Sequence, residues 1–285
     1  MKKILVTGGA GFIGSHLCEK LIQQNHRVIS LDNYSTGSKE NHIKGVEYIA
    51  GDTIDISRLV TSPVNLVFHL GEYARVEQSF ADIDKVLHSN TQGTQAVLEY
   101  IRKCDAKLVY AGSSTKFADG GIGRDQSPYA WTKATNTELV KNYSEWFGIK
   151  YAITYFYNVY GPHERGDSAT GTLIGIYRDL YKKNLPLPVR LPGTQRRSFT
   201  NVEDIIAALL LVGYQGEGDE YGIGHPDSYS VLEVAQMFGG SITELPERPG
   251  NRMTSISDTN RTRLELGWQP KYNLPDYIKS ITTDV

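Results

Sequence analysis

Apolar positions along this chain follow two rhythms. Short apolar runs bounded by turn residues, at 4–6, 28–31, 46–49, 66–70, 108–111 and 151–157, read as strands. Between them, apolar residues recur at helical spacing near 12–24, 84–103 and 127–147. Alternation of this kind makes right-handed crossovers, which predicts an α/β fold built on a doubly wound parallel sheet. Ligands of such sheets gather at the carboxyl ends of the strands. Candidate chemistry is therefore sought just after each strand.

The first strand runs straight into Thr7-Gly8-Gly9-Ala10-Gly11-Phe12-Ile13-Gly14, and Phe12, Ile13, Leu17 and Leu21 then open a helix. Glycine suits such a turn because a Cβ would block the sharp bend, the approach of backbone to a diphosphate and the contact of helix with strand. Free N–H groups and the helix dipole converge on one spot, which favours an anion. A glycine turn alone also serves plain connections. Here Asp32 stands about 20 residues on, where a carboxylate accepts from the ribose 2′-OH of NAD and repels the 2′-phosphate of NADP. NAD is the predicted cofactor.

With 285 residues, 40% hydrophobic and 22% charged, and a net charge of −2, the chain has the make-up of one large or two coupled domains. That balance gives no charge-based reason to expect nucleic acid or membrane partners. Two cysteines, Cys18 and Cys104, imply no disulfide framework and read as small interior residues. The glycine-rich start lacks the apolar run of a signal peptide, and the predicted address is the cytoplasm.

The later strand ends carry further candidates. Gly51-Asp52 would place a carboxylate near an adenine amino group or simply form a turn. In His69-Leu70-Gly71-Glu72-Tyr73-Ala74-Arg75, Gly71 would let backbone pass close to a cofactor. Asn90 sits on an otherwise apolar helical face, and Ser113-Ser114-Thr115 brings three hydroxyls to the sheet edge or to a turn. Ser127-Pro128 begins the next helix, with Pro128 suited to its first turn. Tyr129 and Lys133 are i and i+4 and share a face. An ammonium beside a phenol favours the phenolate, so the pair is a usable general base or acid. Alone the spacing fits a solvated face; after a dinucleotide motif and Ser113 it points to catalysis. No metal enters this reading.

With these residues in hand, the chain resembles the extended short-chain dehydrogenase/reductases, the family of nucleotide-sugar epimerases and dehydratases. The resemblance covers nearly the whole length. It implies cofactor contacts from Gly8, Gly11, Phe12, Ile13 and Gly14 in the first turn, and from Asp32, Asn33, Asp52 and Thr53 after the second and third strands. Leu70, Gly71, Asn90, Tyr129, Lys133 and Tyr157 complete the implied cofactor set. In the family's pattern the hydroxyl at position 113 binds the sugar 4-hydroxyl, Tyr129 removes its proton, hydride passes from C4 to the nicotinamide, and Lys133 holds the nicotinamide ribose. Asn158, Arg197 and Arg248 match residues that reach the substrate diphosphate, two guanidinium groups being suited to bidentate binding. Glu72 and Ser114 fall beside the expected hexose.

The resemblance also implies a cofactor domain of residues 1–158 plus about 199–223 and a smaller α/β substrate domain of about 159–198 plus 224–285. Val202-Glu203-Asp204 reads as a helix start with Asp204 as a cap or salt-bridge partner. Family 4,6-dehydratases carry an Asp-Glu pair after the catalytic hydroxyl, decarboxylases a Glu at the position of Thr115, and 3,5-epimerases a Cys at that of Ser114. The Ser-Ser-Thr run is nearest to 4-epimerases, which need no second acid or base. The alternatives are a reductase, dehydratase or decarboxylase of the same family, or a non-catalytic dinucleotide sensor, a kind that generally lacks the Tyr/Lys pair. Three departures stand out: a short segment between Ser113 and Tyr129, Asn251 where an Asp is common, and Glu72, which reads as structural, as an extra acid/base or as a contact to a sugar amine. Val97, Leu98, Ile101, Leu139 and Val140 suggest the family's helical homodimer contact.

Overall fold

The computed structural model describes residues 1–167, 171–247, 254–255 and 257–283. Seven parallel strands form the central sheet: β1 (Lys3–Thr7), β2 (Arg27–Asp32), β3 (Glu47–Ala50), β4 (Leu66–His69), β5 (Lys107–Ser113), β6 (Tyr151–Phe156) and β7 (Gly218–Ile223). Their order across the sheet is β7-β6-β5-β4-β1-β2-β3. The order reverses beside β1, so β1 and β4 are neighbours whose carboxyl ends open a crevice.

Both faces of the sheet are covered, which the strand pleat makes possible. In β1, Ile4 and Val6 join a cluster with Leu17 and Leu21 of α1 (Phe12–Gln23) and Ile205 and Leu209 of α5 (Val202–Gln215). Leu5 faces the other way, into a cluster with Val97, Leu98 and Ile101 of α2 (Gly93–Cys104) and Val140 of α3 (Pro128–Phe147). These aliphatic side chains are buried, each worth about 1.5–3 kcal/mol. A single chain therefore uses Val97, Leu98, Ile101 and Val140 in its own core, and they present no docking face. The large exposed side chains of α3 are instead Trp131, Trp146 and Phe147.

A third cluster gathers Ile174 and Tyr177 of α4 (Leu173–Lys182), Val234 and Phe238 of α6 (Val231–Phe238), and Leu274 and Ile278 of α8 (Leu274–Thr283). Between them, α7 (Asn260–Leu266) and Trp268 return to the large sheet, because the Trp268 indole donates to the Asp204 carbonyl and packs in the first cluster.

Two local features depart from the periodicity. The apolar rhythm at 84–103 is interrupted: Leu87–Gln92 forms a wider π-helical turn before α2, which carries Asn90 into the interior. Asp204 neither caps α5 nor forms a salt bridge. Asn201 is the cap, accepting from the Glu203 N–H at 2.9 Å, while the buried Asp204 carboxylate accepts from the backbone of Lys271 (2.9 Å) and Tyr272 (3.0 Å). At α3 the sequence reading holds, since Ser127 accepts from the Ala130 N–H at 3.1 Å with Pro128 in the first turn.

Candidate active site

At the β1/β4 crevice the backbone is packed as closely as glycine permits. A Cβ on Gly8, whose φ is +74°, would lie 2.9 Å from Gly71, and one on Gly71 would lie 2.8 Å from the Gly8 nitrogen. Gly11 caps α1 with no side-chain hydrogen bond, so the first N–H groups of that helix remain available to an anion. Asp32, buried at the end of β2, receives the Ala10 N–H at 2.9 Å and the Tyr34 N–H at 2.8 Å. A cavity of about 1290 Å³ runs along this edge, lined by Gly8, Gly11, Asp32, Gly71, Tyr129 and Lys133, and reaches Glu164, Arg178 and Tyr277. A helix start with free N–H groups, backed by a carboxylate at the neighbouring strand end, fits a dinucleotide.

Across the crevice, the end of β5 meets the start of α3. The Tyr129 hydroxyl donates to Ser113 Oγ at 3.2 Å, and the Thr115 hydroxyl donates to the same oxygen at 2.9 Å. The Thr115 N–H also donates to Ser113 Oγ, at 3.3 Å, so this oxygen is filled as an acceptor and keeps one proton of its own to donate. One turn on, the Lys133 ammonium donates to the Glu72 carboxylate and to the Ala111 carbonyl. Both side chains of this ion pair are buried, 6% and 3% exposed.

Glu72 is the centre of a buried polar network. Its Oε1 accepts from Thr94 (2.9 Å), Asn136 (3.0 Å) and Tyr110 (3.1 Å), while Oε2 takes Lys133. Burial alone would push this carboxyl up, but the charges of Lys133 and His69 and the hydrogen bonds from Lys133 and Thr94 hold it below the ordinary range. His69 bridges Thr7 Oγ1 (2.7 Å) and Thr94 Oγ1 (3.0 Å), and burial pushes it down to about 4, leaving it neutral at pH 7.

The model of the NAD dependent epimerase/dehydratase family matches residues 4–224. The chain belongs to this family. It is 31% identical to a provisionally named UDP-glucose 4-epimerase of Methanocaldococcus jannaschii, over 98% of this chain and 96% of that one. It is 29% identical to UDP-glucuronic acid decarboxylase 6 of Arabidopsis thaliana, over 99% of this chain and 88% of the relative. Among solved structures, a UDP-glucose 4-epimerase of Thermotoga maritima with UDP-glucose superposes with a TM-score of 0.90 at 26% identity, covering 99% and 97% of the two chains. The Thermus thermophilus UDP-glucose 4-epimerase in complex with NAD gives 0.88 at 28% identity, covering 99% and 98%. The fold is thus that of the family, and NAD is the cofactor.

Placed against this family, the predicted residues divide. Gly8, Gly11, Phe12, Ile13, Gly14, Asp32, Asn33, Thr53, Leu70, Gly71, Tyr129 and Lys133 line the cavity together. Asp52 is not among its walls: it caps a 3₁₀ turn at the Ile54 N–H (3.2 Å) and receives Asn33 (3.2 Å), the turn reading of that residue. Asn90 is fully buried and does not line the cavity either, tying the Tyr73 backbone to Thr132 through bonds of 2.7 and 3.1 Å to Tyr73 and 3.1 Å to Thr132.

Tyr157 is buried, its hydroxyl accepting from the Asp258 N–H at 3.4 Å. Asn158, at a left-handed φ of 36°, donates to the Ser198 carbonyl at 2.9 Å, and Arg197 lies on the adjoining strand Arg196–Ser198. Arg248 and Asn251 fall outside the described residues. Ser114 opens a run of 3₁₀ turns over Ser114–Asp125, anchored by Lys116 on Asp219 (3.5 Å) and Tyr155 (3.3 Å).

Glu72, placed beside the hexose by the resemblance, is among the residues that line the cavity, while its two carboxylate oxygens accept from Lys133, Thr94, Tyr110 and Asn136. Its partners Thr94, Tyr110 and Asn136 escaped the sequence reading. Only Asn136 carried a signal, being three residues beyond Lys133 on the same helix. Cys18 is buried, its thiol pushed up to about 12 by burial and by Asp32, so it is unreactive. No helix among the described residues is long and apolar enough to cross a membrane.

Proposed function

We propose that this protein is a 4-epimerase of a nucleotide-diphosphate hexose. The observation that carries the reading is the triad of Ser113, Tyr129 and Lys133 at the cofactor crevice, with hydroxyls rather than acids at positions 114 and 115. Bound NAD supplies the hydride acceptor and donor at C4. Ser113, whose oxygen accepts from Thr115, offers its own proton to the sugar O4. Tyr129, whose oxygen lies 3.2 Å from Ser113 Oγ, acts as the base in its deprotonated form and takes the O4 proton as C4 is oxidised, and Lys133 would hold the nicotinamide ribose. Once the 4-keto sugar has turned, Tyr129 returns the proton to O4 as C4 takes the hydride back on its other face, which completes the inversion and leaves the cofactor as it began. A dehydratase or decarboxylase would need a further acid or base against the sugar, and the one carboxylate beside Lys133 has its acceptors filled by protein.

The same reading assigns substrate diphosphate contacts to Asn158, Arg197 and Arg248. Purified protein incubated with UDP-glucose and other nucleotide hexoses, without added cofactor, should interconvert C4 epimers with no net NADH change. A 4-keto-6-deoxy product, release of carbon dioxide or stoichiometric consumption of NADH would replace this reading by one of the sister reactions. Tyr129→Phe should lower the rate about 10²–10⁴-fold while leaving NAD bound.

A further inference from the structure

We propose that Glu72 is a positioning residue, whose carboxylate, together with the Ala111 carbonyl, holds the Lys133 ammonium so that its remaining N–H is presented to the cofactor crevice. An ammonium has three N–H donors and no fixed fork of its own, on a stem of four flexible bonds. Two donors are spent inward, on Glu72 and Ala111, which leaves a third N–H on a residue that lines the cavity. Glu72 is the one charged partner among the described contacts of this ammonium, beside the Ala111 carbonyl and the Tyr110 ring 4.5 Å away.

The carboxylate is itself fixed by donors from three directions. Thr94 lies on α2, Tyr110 on β5 and Asn136 on α3, at 2.9, 3.1 and 3.0 Å. Thr94 is in turn linked to the crevice by a directional chain. The Leu70 and Gly71 N–H groups donate to Thr7 Oγ1 at 3.1 and 3.0 Å, which commits the Thr7 proton to His69 Nδ1. The other ring nitrogen of His69 then donates to Thr94, and Thr94 to Glu72. One relay of two hydroxyls and an imidazole therefore ties the lysine's anchor to Gly71 in the cavity wall. Because each Glu72 oxygen is engaged and the side chain is shut off from solvent, contact with a sugar is the weaker assignment.

The inference rests on the reading of Lys133 as a contact to the nicotinamide ribose, so NAD binding is measured apart from turnover. NAD is titrated calorimetrically into cofactor-stripped wild type, Glu72→Gln, Lys133→Met and the double variant. In the double variant no buried charge is left unpaired, which keeps it foldable if Glu72→Gln alone is not. Loss of a hydrogen bond from a charged group predicts NAD affinity weakened about 10- to 100-fold in Lys133→Met. The double variant should be no weaker than Lys133→Met, the non-additivity expected of residues that act as a unit.

Turnover should then fall through kcat, with KM for the nucleotide sugar little changed, and Glu72→Asp should recover part of the loss. The proposal is overturned if the two losses multiply, if Glu72→Gln binds NAD as wild type does, or if KM for the sugar carries the defect. Unchanged affinity in Lys133→Met overturns it too, and then leaves the epimerase reading to be judged by product formation alone.

Discussion

Glu72 and Glu164 make an instructive pair, because both carboxylates are closed off from water and both adjoin the same cavity, yet the protein treats them in opposite ways. Glu72 sits on the Lys133 ammonium and is held in its charged form. Glu164 accepts from the Gly161 N–H at 3.2 Å and from the Thr172 hydroxyl, but its nearest cation, Arg178, stands 3.8 Å away and is shared with Asp179 at 3.2 Å. There burial wins, and the carboxyl is pushed up to about 7. Burial raises both carboxyls; the distance to the compensating charge decides which way each finally moves. The first region rests on β5, α2 and α3, the second on the loop that leads into α4.

The comparison breaks first at Glu72. Glu72→Gln leaves the Lys133 ammonium buried without its counter-ion and should cost about 3–5 kcal/mol of stability, measured by urea unfolding at pH 7. A loss under 1 kcal/mol would show that water reaches the pair. Glu164→Gln should act in the other direction. A native carboxyl at about 7 against an unfolded 4.5 binds more protons in the folded state between those values, so stability falls as pH rises from 4.5 to 7. Removing the group should add up to roughly 3 kcal/mol at pH 8 and flatten that part of the profile, with nothing gained at pH 4.

A finer test uses the acid limb. The Glu72 contribution is present above the unfolded 4.5 and disappears as pH falls through the lower native value, so wild type should lose stability as pH falls below 4.5 where Glu72→Gln does not. The smallest change is expected at Arg178. Arg178→Met should raise the pH at which Glu164 titrates by less than about one unit, seen as a rightward shift of the same profile, because at 3.8 Å the guanidinium is a minor influence.

Much of this was legible in the chain. Gly8 to Gly14 and Asp32 could be read because a backbone requirement fixes residue type at short range, and Tyr129 with Lys133 because one helical turn brings them together. Glu72 could not be assigned its partner from the chain: Lys133 is 61 residues away, and nothing local distinguishes a carboxylate that faces sugar from one that faces lysine. The same holds for Asp204, whose spacing looked like a cap while its carboxylate went to backbone 67 and 68 residues on. Val97 and Ile101 were readable as apolar and helical, with a dimer contact and plain core both open because a sheet face and a partner surface ask for the same pattern, and they lie in the core.

The wide turn at Leu87–Gln92 has a consequence for how this scaffold tolerates change in length. A π-helical turn holds one more residue than its α-helical equivalent, so deleting one of the six would let the helix close to α geometry with its flanking segments kept in relation and the change confined to the turn's own side chains. Asn90 would then swing off Tyr73 and Thr132, and the loop after β4 would come loose from α3, without any residue of the catalytic triad having been altered.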